Sequence, residues 1–227
     1  MAAPSSSGLP IEPIALVDAS EDSFVVPAGY TSSAFIRWGD PVLAGASVFD
    51  LAAQGMSVVE VERDAVGEPW RTVPGGRRNR RLTVDSPFAL TGPAAGSELV
   101  RTAADPEGRT VLGTLGNCAG GTTPWGTVLS GEENFNQYFE ASGELDPRYT
   151  DEYARYGINA TGSGRNWSLV EPRWDLTTEP HEPHRHGWIV EVDPFDSTST
   201  PKKHSSLGRF KHEGANVIVA EAAQGSP

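Results

Sequence analysis

A single cysteine, Cys118, among 227 residues excludes an intramolecular disulfide and leaves the redox compartment open. Basic residues are scarce: 18 lysines and arginines face 30 aspartates and glutamates, for a net charge of -12. A surplus of that sign argues against nucleic acid or an anionic membrane as the main partner, since both would be repelled. No run approaches the ~20 apolar residues that span a bilayer, and no basic start followed by an apolar stretch marks an export signal. Missing too are the glycine-lysine-serine phosphate loop, the dinucleotide fingerprint and the G-x-S-x-G elbow, which lowers the standing of the mechanisms they serve.

What is abundant is turn chemistry. Twenty-five glycines and 18 prolines imply many turns and few long helices. Short strands are predicted at 57–62, 82–84, 111–115, 127–129, 188–192 and 216–219. In SVVEVE, Val59 and Val61 share one face and Glu60 and Glu62 the other; in HGWIVEVDPFD, Trp188, Val190 and Val192 align before Asp193-Pro194 ends the strand. Short helical turns are expected at 50–56 and 151–156. The polar, aromatic stretch 141–174 reads as a long loop, a length that suits a compact domain when the loop covers a site or packs its aromatics on the scaffold. The fold class is all-β, a sandwich or part of a propeller.

Candidate chemistry begins at Cys118, which sits in the polar, glycine-rich run GTLGNCAGGTTPWG. A thiol there is a metal ligand, a nucleophile or a buried inert side chain; no basic partner for a nucleophile can be placed from spacing. Fourteen residues on, Glu132 and Glu133 point to opposite sides of an extended chain, so one can face a site while the other faces solvent or an arginine. Asn134 and Asn136 add oxygen donors of the kind calcium accepts. In GRFKHEGANVIVA, Lys211 and Glu213 share a face with His212 opposed, and Gly214 and Ala215 leave Glu213 room to approach a cation. Each carboxylate has a plainer reading as a charged strand end. His181, His184 and His186 in EPHEPHRHGW could bind zinc or copper, or form an exposed loop, with Arg185 in a surface salt bridge or near a phosphate. Asn159-Ala160-Thr161 and Asn166-Trp167-Ser168 match glycosylation acceptors, a weak pattern without evidence of a secretory route.

Longer segments resemble the PhoX family of alkaline phosphatases. The resemblance rests on RWGDPV at 37–42, RRLTVDSPFALTGPAAG at 80–96 and TAADPEGRTVLGTLGNCAGGTTPWGT at 102–127. It continues through GEENFNQYF at 131–139, HGWIVEVDPFD at 186–196 and GRFKHEGA at 208–215. It implies part of a six-bladed β-propeller with long loops: a flexible leader at 1–23, then a partial PhoX-like β-rich domain at 24–227 with a loop insertion at about 141–180. It further implies an iron and calcium centre, with Cys118 as a thiolate shared by two irons, Glu213 as a carboxylate ligand and Glu133 as a further metal ligand. Cys118 and Glu213 become the catalytic candidates, the substrate a phosphate monoester, and the parent enzyme an exported or periplasmic one.

The departures from the family pattern are specific. The Asn-His-Glu-Tyr-Thr-like segment expected between RWGDPV and SVVEVE is missing, Gly131 replaces a cysteine common before the paired glutamates, and the later half of the family pattern lies beyond Pro227. The expectation is a truncated member: a metal-dependent phosphomonoester hydrolase or a degenerate derivative, self-associating through open sheet edges. The alternative is a noncatalytic β-rich binding or scaffold fragment.

Overall fold

The computed structural model describes residues 54–162, 165, 167–169 and 171–219. The leader at 1–23, the RWGDPV segment, most of the helical turn expected at 50–56 and Asn166 lie outside them. Nine short strands dominate: β1 (Met56–Val58), β2 (Val61–Glu62), β3 (Arg71–Thr72), β4 (Arg80–Leu82), β5 (Pro87–Thr91), β6 (Thr110–Leu112), β7 (Val128–Gly131), β8 (Ile189–Val192) and β9 (Lys202–His204). One α-helix, α1 (Thr150–Tyr156), and several single 3-10 turns complete the described chain. The protein is mostly β with few helices, and no helix among the described residues is long and apolar enough to cross a membrane.

β1 pairs with β4 and β2 with β3, both antiparallel. The main sheet runs β6-β5-β9-β8-β7, antiparallel except for the parallel β5/β9 pair. The predicted 57–62 strand is therefore two strands. Between them Glu60 turns its backbone to a neighbouring loop, donating to Asn79 Oδ1 (2.5 Å) and accepting from Val73 N (2.9 Å). The strands expected near 82, 111, 128 and 189 are present with ends shifted by up to three residues, while 216–219 is irregular rather than a strand. Ile218 is 92% exposed, so its β-branched side chain has no sheet face to cover.

Directly opposite residues share a face, which aligns Leu90, Lys203 and Val190 across three strands. Phe88, Leu82, Val190 and Val192 pack together there, with Leu90, Val100, Val111 and Trp188 forming an adjoining cluster. The third cluster comes from the long insertion. Tyr149, Tyr153, Ile158, Trp174 and Leu176 pack on Leu115, Phe135, Tyr138 and Phe139. α1 ends on Gly157, whose left-handed backbone (φ 66°) lets its N–H cap the helix. The 141–174 stretch thus supplies core to the sheet instead of hanging from it.

Candidate functional site

The C-terminal end of β7 delivers two adjacent carboxylates to different environments. Glu132 is fully buried. Its Oε1 accepts hydrogen bonds from Lys203 Nζ (2.7 Å), Thr114 Oγ1 (2.8 Å) and Leu115 N (3.1 Å), and its Oε2 from Gly187 N (2.9 Å) and Trp188 N (3.1 Å). Burial pushes this carboxyl up, but Lys203 and His186 outweigh it and hold Glu132 well below the usual carboxylate range. Lys203, also fully buried, donates further to His186 Nδ1 (3.1 Å) and Arg185 O (3.2 Å). Burial draws its ammonium below the ordinary value against the pull of Glu132.

The cluster continues outward. His186 Nε2 lies 3.5 Å from Glu182 Oε1, and Arg185 Nε lies 3.0 Å from Glu182 Oε2. Arg185 Nη1 donates to Asp105 Oδ2 (3.1 Å) and Val100 O (2.5 Å), and Nη2 to Thr110 O (2.7 Å). With its five hydrogen bonds, Glu132 is a fastener between the 114–115 loop, the 187–188 turn and β9. It has no acceptor capacity left for a cation.

That arrangement corrects the reading of EPHEPHRHGW as an exposed loop. His184, Arg185 and His186 are all buried, and Arg185 belongs to the internal cluster rather than to a surface salt bridge. Nor do the three imidazoles converge. His181 meets Tyr149 Oη (2.7 Å), His184 stacks on Tyr153, and His186 faces Lys203.

The loop with Cys118 lies on the other side of β7. Cys118 N donates to Gly131 O (2.8 Å), Gly131 N to Ala119 O (3.2 Å), and Ser130 Oγ to Cys118 O (2.8 Å). The 212–216 segment then crosses both strands of this loop. His212 N donates to Glu132 O (3.1 Å), a Cβ on Gly214 would stand 3.0 Å from Ala119 O, and one on Gly121 would stand 2.4 Å from Asn216 Oδ1. Gly131 is required for this approach, because a Cβ there would sit 2.4 Å from His212 O.

Cys118 and Glu213 thus occupy adjoining backbone segments, and both are exposed, which removes the buried inert reading of the thiol. Glu133 is half-buried beside them in the chain, its N–H bonded to Gly116 O (3.0 Å). Among the described residues, none of these three side chains has a hydrogen-bond partner. One signal escaped the sequence reading: Asn117 Oδ1 is shielded from solvent and has no donor, although its Nδ2 is held by Thr114 Oγ1 (2.9 Å). Thr114 Oγ1 in turn donates to Glu132 Oε1 (2.8 Å), so the Asn117 side chain turns to the buried side of the hairpin while the Cys118 thiol is exposed. Among the described residues, however, no group of three histidine, cysteine, aspartate or glutamate side chains closes around one point.

A family model described as alkaline phosphatase PhoX matches residues 49–226. The chain belongs to this family. Among solved structures, it matches Pseudomonas fluorescens PhoX in complex with vanadate, a transition state analogue, at 50% identity and a TM-score of 0.65. That match covers 70% of this chain and 27% of the Pseudomonas chain, so this sequence spans well under half of the PhoX structure it resembles. No curated protein matches. The PhoX resemblance drawn from the sequence motifs is correct.

Proposed function

We propose that this chain carries one side of a PhoX-type metal centre for phosphomonoester hydrolysis. The supporting observation is the crossing of 212–216 over the Cys118 hairpin, which sets the backbone on either side of Glu213 against the loop that carries the exposed Cys118. Cys118 would supply a thiolate and Glu213 a carboxylate, a set suited to iron with calcium nearby. Glu133 extends the same donor set. When bound, such ions polarise phosphoryl oxygens and offset charge developing in the transition state.

The protein's own contribution is rigidity. Glu132 holds the Leu115, Gly187 and Trp188 amides, and its carbonyl holds His212, so both ligand-bearing segments hang from one buried residue. Ligands fixed from behind in this way keep their geometry without the ion's help. A partial six-bladed propeller completed by a second copy or another chain is the architecture that would supply the remaining donors. The lack of a closed three-ligand group among the described residues favours, as second reading, a noncatalytic derivative that keeps the scaffold.

Metal content after exhaustive dialysis, measured together with turnover of a phosphate monoester such as p-nitrophenyl phosphate, tests the reading. Retained iron or calcium and turnover that both fall in Cys118→Ser are expected. No retained metal and no turnover after iron and calcium supplementation would reject the enzyme and leave the noncatalytic reading.

A further inference from the structure

The segment that carries Glu213 is held from its upstream end. Phe210 N donates to Gly187 O (3.1 Å) and His212 N to Glu132 O (3.1 Å), and beyond His212 the described residues 213–219 make no backbone hydrogen bond to the rest of the protein. The placement of Glu213 therefore depends on how firmly 209–212 is fixed. At the start of this stretch Arg209 turns its side chain back into the protein, with Nε donating to His186 O (2.8 Å) and Nη2 to Pro183 O (2.6 Å). Its guanidinium lies 4.0 Å from the Tyr156 ring centroid and 5.0 Å from that of Phe135, and Tyr156 Oη donates to Arg209 O (3.3 Å).

These contacts join three parts of the chain that the sequence keeps apart. Pro183 and His186 belong to the histidine-rich turn, Phe135 follows the paired glutamates, and Tyr156 closes α1. Lys211, two residues on, lies against the end of the same helix, since a Cβ on Gly157 would stand 3.3 Å from its Nζ. A planar guanidinium with two directed donors and two aromatic rings beside it fixes orientation as well as position, whereas an ammonium offers neither the fork nor the flat face. The carbonyls it serves lie in the turn that runs on to Gly187 and Trp188, whose amides bond Glu132. Anchors that stand behind a ligand in this way set its orientation and, through it, metal affinity.

We propose that Arg209 is the positioning residue of Glu213, and that α1 serves the site by presenting Tyr156 to it. A guanidinium has no acceptor and binds no cation, so its effect passes through the backbone of 210–212. The inference rests on the metal-centre reading for what Glu213 does, and on the Arg209 contacts alone for how Glu213 is held.

Hydrogen exchange of the full chain, followed by mass spectrometry with iron and calcium removed by chelation, tests the anchor apart from the ions. Arg209→Lys should speed exchange across 208–216 by about tenfold, while β8 exchanges as before. Tyr156→Leu, which keeps apolar volume on α1 but removes the ring face and the hydroxyl, should act in the same direction and more weakly. Unchanged exchange at 208–216 in Arg209→Lys overturns the inference. Equal acceleration in β8 overturns it too, because the residue would then support the fold at large. Iron titrated into the same proteins gives the second readout, and its affinity should fall about tenfold in Arg209→Lys. Iron bound equally by both proteins overturns the positioning role. Iron bound by neither, with 208–216 loosened as expected, overturns the metal-centre reading and upholds the anchor.

Discussion

Beneath the sheet, Glu132 takes five hydrogen bonds, one of them from the Lys203 ammonium, while at the rim Cys118, Glu133 and Glu213 have no side-chain partner among the described residues. The two regions share β7 and are separated by a single residue step, yet one is electrostatically closed and the other open. Closure serves the fold, since an unpaired charge in the interior would be excluded by its desolvation cost. Openness is affordable only where water or a cation can complete the coordination. The contrast assigns Glu132 to support of the fold, although both glutamates belong to one motif.

The comparison breaks most visibly at Lys203. Lys203→Met leaves Glu132 as an uncompensated buried charge and should cost about 3–5 kcal/mol of unfolding free energy in urea denaturation. A loss near zero would show that the cluster is not the closed unit described here.

Acid should weaken the fold next. His184 is held neutral in the folded protein at a pKa of about 3, against an ordinary value of 6.5. The unfolded chain therefore binds the extra proton first, and stability declines as pH falls from about 6.5 towards 3, at up to about 1.4 kcal/mol per pH unit. Between pH 6.5 and 4.5 this slope should vanish in His184→Phe. Glu191 and Asp175 act lower. Burial raises both carboxyls, but hydrogen bonds outweigh it, from Thr127 and Trp125 at Glu191 and from Ser142 and Thr177 at Asp175, leaving each at about 2. Their stabilisation is complete above the unfolded carboxylate range and is lost as pH drops through about 2.

Asp175→Asn sharpens the comparison on a smaller scale. Asp175 ties the insertion to itself through Ser142 Oγ (2.6 Å) and Thr177 N (2.9 Å), and the amide keeps the shape while losing the charge. A cost of about 1–2 kcal/mol is expected by thermal or chemical unfolding. The smallest stability effect belongs to the rim. Cys118→Ser should change unfolding free energy by less than about 0.5 kcal/mol while reducing iron retention, and the two measurements together separate a ligand from a structural residue.

Much of the scaffold was legible. Period-two alternation located β8, turn residues bounded most strands, and the opposition of Glu132 and Glu133 followed from extended backbone alone. The role of Lys203 was not legible. Lys202, Lys203 and His204 look like a solvated edge, and only the central place of β9, between β5 and β8, turns the middle side chain inward towards a glutamate 71 residues away. The histidine turn was misread for the same reason: proline and polar composition suggests a surface loop, but Arg185 finds three acceptors, Val100 O, Asp105 Oδ2 and Thr110 O, far away in the chain. The strand expected at 216–219 had the right residues and, among the described residues, no neighbouring strand to receive them.

By itself the sequence determined the family, the turn-rich β character and the motifs that carry Cys118 and Glu213, because those depend on local residue order. Tertiary structure decided which charges are closed and which are open. Burial and partnership are properties of long-range pairing, and no spacing along the chain encodes that Lys203 neutralises Glu132 or that Asn117 is left without a donor.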